Sequence, residues 1–330
     1  MEKVLVTGAT GFVGGELARR LVAQGFQIKG TGRRRAPELE ELGIEMHYGD
    51  LATDVLSEDL FDGCELVYHV AAKAGIWGRR SDFYEANVRA TERVLKGAQE
   101  AGVRRFIFTS TPSVTFNGRA IQNGDENLPL TRSRISEYAW TKSLAEALVL
   151  RENGKDGMRT VALRPHLIVG GGDNHLLPTI LDRAAKGKLK QVGNGRNRVD
   201  ITHVDDVVEA HLRAAEALRG GLKGGGAYFI NGGNPVELWP WLNRVCAEAG
   251  VTEIRRKVPF VLAYPVGWVC EIIWKALGWT HNPPMTRFAA SELAKDHYFS
   301  SAKAARELGY LPKADPWTGV EDFLARWKQR

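Results

Sequence analysis

The sequence predicts an α/β protein in which a doubly wound parallel sheet is joined to a smaller mixed lobe. Two observations predict it: short apolar runs alternate with segments whose apolar residues recur at helical spacing, and turn residues separate the two. Short apolar runs are typical of strands buried on both faces, and their alternation with helices places them side by side in one parallel sheet. The apolar runs are residues 3–7, 26–31, 65–71, 105–109, 160–164 and 227–230.

Helical spacing is found in segments that lie between or after the apolar runs. After about residue 167 the alternation loosens, and the remaining chain is rich in Trp and Pro. We therefore expect residues 1–170, joined by residues 196–232, to form the larger domain. Residues 171–195 and 233–330 should form a lobe that closes over the sheet. The helical segments are residues 15–23, 86–98, 138–150, 176–185 and 204–217.

Composition restricts the kind of partner that the protein can bind. Lys and Arg number 45 against 39 Asp and Glu, and the net charge of +6 is spread along the chain of 330 residues. A diffuse surplus favours a small anionic ligand or an acidic surface over a nucleic-acid groove. The three cysteines, Cys64, Cys246 and Cys270, are too far apart to suggest a metal site or a disulfide framework, and the chain opens in a strand rather than a signal peptide. We expect no metal and a cytoplasmic location.

A glycine-rich turn follows the first strand and opens the first helix. Gly8 permits a tight turn, Gly11 lets the backbone approach phosphate oxygens, and Gly14 lets the helix pack on the strand. Free N–H groups and the positive end of the helix dipole then face an anion. We expect a dinucleotide pyrophosphate there; the alternative is a tight turn that binds nothing. The contact residues predicted in this turn are Gly8, Thr10, Gly11, Phe12, Val13 and Gly14.

The end of the second strand predicts which dinucleotide is bound. Proteins that bind NAD usually place an acid there to hold the ribose 2′-hydroxyl, whereas an arginine accommodates a 2′-phosphate. Residues 30–35 read Gly-Thr-Gly-Arg-Arg-Arg, with no acid. A guanidinium can bind a phosphate through two hydrogen bonds, so Arg33 favours NADP(H) over NAD(H). The alternative is a solvated basic turn.

A tyrosine and a lysine four residues apart lie on one face of a predicted helix. Tyr138 and Lys142 can therefore point into the same site. A free tyrosine has a pKa of about 10, and a nearby ammonium and a positive nicotinamide favour its phenolate form. Tyr138 would then take a proton from an alcohol during oxidation or donate one to a ketone during reduction. The alternative is two ordinary residues on a helix surface.

Hydroxyl side chains follow the strand at residues 105–109. Ser110, Thr111 and Ser113 lie at the carboxyl edge of the predicted sheet, where open α/β sheets bind ligands. One of the three hydroxyls should hydrogen-bond the substrate oxygen and orient it towards Tyr138, while the others cap the strand end. Spacing alone leaves the choice among them open.

These motifs together resemble the extended short-chain dehydrogenases/reductases, with a Rossmann-type domain. Residues 71–78, 109–114, 163–173 and 198–206 are similar to the 3β-hydroxysteroid and sterol-4-carboxylate dehydrogenase branch. The similarity is greatest to the bacterial 2-alkyl-3-oxoalkanoate reductases of olefin biosynthesis, a lipid pathway, and residues 284–288 and 308–312 share it. The resemblance implies an oxidoreductase acting on CH–OH groups, and a homodimer.

The resemblance also implies roles for single residues. It makes Thr111 the catalytic hydroxyl and Asn87 a support of the active site, although a helix start explains Asn87 nearly as well. Lys142 would also hold the ribose hydroxyls. The remaining residues that it assigns to cofactor contact are Asp50 and Leu51 for the adenine, Ala71, Ala72 and Lys73 for the pyrophosphate and nicotinamide ribose, and Pro165 for the nicotinamide.

The resulting hypothesis is reduction of a 2-alkyl-3-oxoalkanoate to the 3-hydroxy acid by NADPH. Three alternatives stay open: a 3β-hydroxysteroid or sterol-4-carboxylate 3-dehydrogenase, a nucleotide-sugar epimerase, and a non-catalytic regulator that binds NADP. A dehydratase is disfavoured because Pro112 and Ser113 stand where dehydratases of this superfamily carry an Asp–Glu pair.

An apolar, Trp-rich segment at residues 258–279 supports an apolar ligand, which the family resemblance implies is a small 3-keto or 3-hydroxy substrate. It contains Glu271 and Lys275, which argue against a transmembrane span. Four uses stay open for it: the wall of a lipid-like pocket, a peripheral membrane contact, a contact with a partner enzyme, or a buried helix. Arg287, just beyond it, would meet a substrate carboxylate or form a structural ion pair.

Overall fold

The computed structural model describes residues 2–328, apart from the side chain of Glu58. Its centre is a seven-stranded parallel sheet with the order β12-β7-β5-β4-β1-β2-β3. In this sheet Val4 pairs with Ile28 on one side and with Leu66 on the other. The strands are β1 Lys3–Thr7, β2 Gln27–Gly32, β3 Glu45–Tyr48, β4 Cys64–His69, β5 Arg105–Thr109, β6 Ile121–Gly124, β7 Arg159–Pro165, β8 Ile168–Val169, β9 Gln191–Val192, β10 Arg198–Val199, β11 Thr202–His203, β12 Gly226–Ile230, β13 Val236–Glu237, β14 Lys257–Val258 and β15 His297–Phe299.

Helices cover both faces of this sheet, which confirms the predicted doubly wound fold. Along β1 the side chains alternate between faces: Val4 and Val6 pack with Leu17 of the first helix, while Leu5 packs with Val94 and Phe106 on the opposite face. The helices are α1 Phe12–Ala23, α2 Pro37–Glu40, α3 Arg80–Tyr84, α4 Ala90–Glu100, α5 Glu137–Arg151, α6 Leu176–Ala185, α7 Val204–Arg219, α8 Leu238–Glu248, α9 Phe260–Ala276, α10 Arg287–Ala294, α11 Ala302–Leu308 and α12 Pro316–Trp327.

The predicted strands and helices are found within a few residues of their expected positions. Sequence patterning missed β3, because its residues Glu-Met-His-Tyr are only partly apolar and the strand lies at the edge of the sheet, where it is partly exposed. The predicted helix at residues 86–98 begins instead with a π-helical turn at Glu85–Arg89, which leads into α4.

A smaller mixed sheet with the order β13-β10-β15-β6 lies beside the central one. β10 runs antiparallel to β13 and parallel to β15, and β15 runs parallel to β6. A second apolar core, which includes Trp239 and Phe323, packs around α8, α6 and α12. Two parallel strand pairs, β8 with β11 and β9 with β14, complete the sheets. The division into two domains stays a prediction.

The strand order of the central sheet reverses at β1. From β1 the chain goes to β2 on one side and later returns to β4 on the other. The loops after β1 and β4 therefore diverge and leave a crevice at the carboxyl ends of the strands, where open α/β sheets bind ligands. Within residues 2–328, none of the helices combines the length and apolarity needed to cross a bilayer.

Candidate active site

The glycine-rich turn lies in this crevice in the conformation that its spacing predicts. Gly8 has a φ of +68°, and a Cβ at this position would lie 2.9 Å from the Cα of Ala71 in the loop after β4. A Cβ on Gly14 would lie 2.2 Å from the carbonyl oxygen of Gly8. Only glycine fits both positions, so the turn packs directly against its neighbours and leaves the N-terminus of α1, which begins at Phe12, facing the crevice.

The crevice is a groove of about 480 Å³. It brings together residues that are far apart in the sequence, including every residue predicted to contact a cofactor. Its walls also include Thr111 and Tyr138, at the end where α5 begins. The predicted contact residues in its walls are Gly8, Thr10, Gly11, Phe12, Val13, Gly14, Arg33, Asp50, Leu51, Ala71, Ala72, Lys73, Lys142 and Pro165.

The opposite end of the groove, beside β2, is basic. Arg33 and Arg34 follow β2, are exposed and line the groove. The carboxylate of Asp50, which also lines it, accepts a hydrogen bond from the backbone N–H of Ala52 at 2.9 Å. The groove therefore offers guanidinium groups where an NAD-binding protein would present an acid.

Sequence reasoning missed one wall of the groove, the loop at residues 173–176. Asp173 starts α6: its carboxylate accepts hydrogen bonds from the backbone N–H groups of His175 at 2.8 Å, Leu176 at 3.0 Å and Leu177 at 2.8 Å. The helix at residues 176–185 was predicted, and an Asp just before it is the signal that could have marked this loop as a capped helix start.

Tyr138 is half-buried near the N-terminus of α5, whose first turn is capped by the Ser136 hydroxyl. Burial raises the pKa of Tyr138, and a hydrogen bond from the Thr111 hydroxyl opposes that rise. In the protein without cofactor the pKa of Tyr138 therefore lies above its ordinary value, whereas the prediction concerns the phenol beside both Lys142 and a bound nicotinamide. The physical reason is that burial outweighs the polar contacts of the phenol.

Lys142 is buried one helical turn further along α5. Its ammonium donates a hydrogen bond to the carbonyl oxygen of Thr109 at 2.6 Å and lies 3.9 Å from the centre of the Phe108 ring. Burial lowers the pKa of Lys142 to about 7, although the carboxylate of Glu146 opposes the fall. Near neutral pH this side chain is therefore divided between its charged and neutral forms.

The three candidate hydroxyls occupy different environments. The Ser110 hydroxyl donates to the Glu146 carboxylate at 2.5 Å, and Arg164 closes this buried network with two further bonds to the same carboxylate, at 3.0 and 2.5 Å. Thr111 lines the groove and contacts Tyr138. Ser113 lies outside the groove walls, in a smaller cavity beside His166. The geometry therefore brings Thr111 to Tyr138, and Ser110 belongs to a structural network.

Asn87 joins the loop after β4 to α5, the helix that carries Tyr138. It lies in the π-helical turn, and its side chain accepts a hydrogen bond from the Lys73 backbone N–H at 2.7 Å. Its amide group donates to the Lys73 carbonyl at 3.1 Å and to the Thr141 hydroxyl at 3.0 Å. Asn87 thus connects the loop after β4 to α5, and a π-helical turn at such a position is common near functional sites.

A second cavity of about 440 Å³ lies on the other side of Tyr138. Tyr138 lines both this cavity and the groove. The apolar wall of the second cavity comes from the loop after β4 and the C-terminal end of α9. There the indole N–H of Trp77 donates to the Trp279 carbonyl at 2.9 Å. We call this space the tryptophan cleft. Its lining residues are Ile76, Trp77, Gly78, Arg79, Arg80, Phe83, Arg134, Ile135, Glu137, Tyr138, Glu271, Trp274, Lys275, Gly278 and Trp279.

The arginines near the cleft have different partners. Arg80 binds the Glu137 carboxylate through two nitrogens, at 3.1 and 3.0 Å, and Arg134 lies over the Trp140 ring at 4.6 Å. Arg287 binds the buried Glu271 carboxylate through its Nε at 2.8 Å, so the prediction of a structural ion pair for Arg287 is confirmed.

The prediction of a buried helix at residues 258–279 is wrong, since most of α9 is exposed.

A buried pair of histidines lies in the smaller cavity that Ser113 lines, and it was not predicted. His166 Nε2 lies 3.1 Å from His297 Nδ1, and His297 Nε2 lies 2.8 Å from the Glu292 carbonyl. Burial lowers the pKa of His166. Because the two histidines are 131 residues apart in the chain, no local spacing signal could have identified the pair.

Comparison with known proteins places the chain in a family. The model of the 3-beta hydroxysteroid dehydrogenase/isomerase family matches residues 5–260. The chain is 38% identical over 329 residues to a 2-alkyl-3-oxoalkanoate reductase of Stenotrophomonas maltophilia (strain K279a), covering 99% of this chain and 98% of that protein. It is 31% identical to a decarboxylating sterol-4-alpha-carboxylate 3-dehydrogenase of Mus musculus, covering 94% of this chain and 87% of the relative.

Solved structures share the fold. The crystal structure of gox2253 superposes with a TM-score of 0.80 at 30% identity, covering 100% of this chain and 98% of the other. MoeE5 in complex with UDP-glucose and NAD gives a TM-score of 0.76 at 22% identity, covering 100% and 99%, and shows the fold alone. The chain therefore belongs to the 3-beta hydroxysteroid dehydrogenase/isomerase family, as an oxidoreductase of the extended short-chain dehydrogenase/reductase type.

Proposed function

We propose that the protein is an NADP(H)-dependent reductase that converts a 2-alkyl-3-oxoalkanoate into the corresponding 3-hydroxy acid. One observation carries the proposal: Tyr138 is shared by a groove shaped for a dinucleotide and by the tryptophan cleft. A proton donor at that junction can reach a ketone that lies against the reactive face of a nicotinamide.

The groove fits a dinucleotide because glycines clear the space that the pyrophosphate needs. The backbone N–H groups at the start of α1 would hold the phosphates, Asp50 the adenosine, and Arg33 the 2′-phosphate that distinguishes NADP(H). When bound, NADPH supplies the hydride that adds to the ketone carbon. The similarity to named reductases of this family supports the cofactor class, and the basic end of the groove supports NADP(H) over NAD(H).

The protonation state of Tyr138 favours reduction. A phenol whose pKa is raised by burial is protonated at neutral pH, which is the form that donates a proton. As the carbonyl oxygen gains negative charge, Tyr138 would transfer its proton to that oxygen while the Thr111 hydroxyl orients it. Lys142, with a pKa of about 7, would stabilise the phenolate that remains and return a proton to it.

The tryptophan cleft supports a substrate with long alkyl chains and an acidic group. Trp77, Trp274 and Trp279 offer apolar surface for the chains, and Arg79 and Arg134 line the same cleft. A guanidinium there can pair with the carboxylate of a 3-oxo acid. Reduction also removes the ketone that would otherwise promote loss of that carboxylate as CO₂.

Two assays with purified protein test the proposal. We expect NADPH oxidation with a 2-alkyl-3-oxoalkanoate and little NAD(P)+ reduction with a 3β-hydroxysteroid. Tyr138→Phe should lower turnover by about 100-fold or more while NADPH still binds. Tyr298→Phe, which alters a tyrosine outside both cavities, is the matched control.

Other outcomes would favour the alternatives. Turnover of the steroid would favour the sterol reaction that several relatives are named for, among them a 3 beta-hydroxysteroid dehydrogenase/Delta 5-->4-isomerase of Mycobacterium tuberculosis (strain CDC 1551 / Oshkosh). NADPH binding without turnover of either substrate would favour a regulator. Binding of a nucleotide sugar would favour an epimerase, the reaction that the apolar cleft supports least.

A further inference from the structure

The outward face of α9 is apolar along its whole length. Of the ten positions of α9 that the structure describes as exposed, nine carry apolar residues and one carries Lys275. Val261 is 73% exposed and Leu262 59% exposed, which is unusual for side chains of this size. A contiguous apolar face of this kind marks an interaction surface rather than scattered surface hydrophobics. Its apolar members are Val261, Leu262, Pro265, Val266, Trp268, Val269, Ile272, Ile273 and Ala276.

The opposite face holds α9 firmly against the protein. Ala263, Gly267 and Glu271, spaced four residues apart, are the buried positions. A Cβ on Gly267 would lie 2.6 Å from the backbone carbon of Thr286, so α9 and the start of α10 are in close contact there. The Glu271–Arg287 ion pair fixes the same contact, with Arg287 NH2 2.7 Å from the carboxylate. The apolar face is therefore presented outward by a fixed helix.

The charged residues along α9 and just before it are mostly basic. Glu271 is the only acidic residue between positions 255 and 290, and its carboxylate is buried. Arg255, Arg256 and Lys257 are exposed just before α9, and Lys275 is exposed near its end. The exposed Glu253 lies 3.5 Å from Arg255, so Arg256, Lys257 and Lys275 carry most of the basic surplus. An apolar helix face bordered by exposed basic side chains is complementary to a bilayer surface with anionic headgroups.

Tryptophans strengthen this match. Trp268 and Trp279 are 50% and 43% exposed, one on α9 and the other just after it. Indole rings are enriched at the interface between hydrocarbon and headgroups, where an apolar body and a polar N–H are both accommodated. The 17 residues of α9 give a helix of about 26 Å, which would lie along the surface.

We infer that α9 docks the protein on an anionic lipid bilayer, with its outward face in the interface and Arg255 to Lys257 against the headgroups. The C-terminal end of α9 also forms a wall of the tryptophan cleft. An apolar substrate could therefore enter the cleft from the bilayer and reach Tyr138 without crossing water. That last consequence rests on the proposed function, whereas the docking does not.

Vesicle flotation with the full chain tests the docking. We expect the protein to float with vesicles that contain phosphatidylglycerol, far less with phosphatidylcholine alone, and less as salt is raised. The double variant Val266→Glu/Ile273→Glu should bind at least about 10-fold more weakly. The matched control Val55→Glu/Leu311→Glu changes two apolar residues that are 95% and 61% exposed elsewhere, and should bind like the wild type. Thermal melting and NADPH binding confirm that both variants are folded.

Three results would overturn the inference. The first is wild-type protein that stays unbound with vesicles of both compositions, and the second is an α9 variant that binds as tightly as the control. The third is a dimer, seen by sedimentation, that the α9 variant converts to monomer, with no vesicle binding; a second copy of the chain would then cover the face. Because flotation requires no turnover, failure of the docking and failure of the proposed reductase activity are distinguishable.

Discussion

The groove and the tryptophan cleft meet at Tyr138 but are built in different ways. The groove is lined mainly by loops that follow parallel strands, and its glycine turn occupies seven consecutive residues, 8–14. The cleft is closed by a contact between Trp77 and Trp279, which are 202 residues apart. The groove depends on backbone conformation that few residues can adopt, whereas the cleft depends on side chains that many residues could replace. Substitutions in the groove should therefore have the larger effects.

Gly14→Val should have the largest effect, because its Cβ would overlap the Gly8 carbonyl and push α1 away from the sheet. We expect NADPH affinity to fall by about 100-fold or more, measured by fluorescence titration. Ala23→Val is the control, since it adds the same side chain at an exposed position of the same helix. If Gly14→Val bound NADPH normally, the groove could not be the dinucleotide site.

Arg33→Ala should weaken NADPH binding by about 10- to 100-fold and leave NADH binding nearly unchanged, because only NADPH carries the 2′-phosphate. The ratio of the two dissociation constants measures this directly. Arg35→Ala, in the same basic turn but outside the groove walls, should leave the ratio unchanged. Equal ratios in both variants would mean that the arginines form only a solvated turn.

The burial of Lys142 should make the stability of the protein depend on pH. Burial lowers its pKa from 10.5 to about 7, so the folded protein binds this proton less tightly than the unfolded chain does. Burying the protonated ammonium destabilises the folded state fully below pH 7, and this destabilisation is lost as pH rises towards 10.5. Lys142 therefore makes the free energy of unfolding increase with pH over that window. As pH rises from about 7 towards 10, the free energy of unfolding of the wild type should increase by at least about 1 kcal/mol more than that of Lys142→Met, measured by urea unfolding. No change in this difference would show that Lys142 titrates normally.

Trp279→Ala should have the smallest effect, because it removes one apolar wall of the cleft and leaves the groove intact. We expect KM for a long-chain 2-alkyl-3-oxoalkanoate to rise by about 5- to 10-fold with little change in kcat. KM for a short-chain 3-oxo acid should hardly change, which provides an internal control. A similar rise for both substrates would place the alkyl chains outside the cleft.

The same contrast explains what the sequence could predict. Gly8, Gly11 and Gly14 have fixed spacing, and Tyr138 and Lys142 share a helix face, so local patterns identified the glycine turn and this pair. The other predicted contact residues of the groove came mainly from the family resemblance. The role of Thr111 came from the family resemblance, and the structure supports it because Ser110 is bound to Glu146.

What the sequence could not predict depends on long-range packing. The Trp77–Trp279 contact and the His166–His297 pair join distant segments and leave no local spacing signal. The rise in the pKa of Tyr138 without cofactor could not be predicted, because a residue's depth of burial follows from tertiary structure. The exposure of α9 has the same cause, since an apolar segment is equally consistent with a buried helix.

A structure of the complex with NADPH and a non-reactive 3-oxo acid analogue tests the central claim most directly. We expect the nicotinamide in the groove, the alkyl chains in the tryptophan cleft, and the phenolic oxygen of Tyr138 within about 3 Å of the substrate oxygen. A substrate oxygen bound away from Tyr138, or a nicotinamide outside the groove, would contradict the claim that Tyr138 joins the two spaces in one reaction.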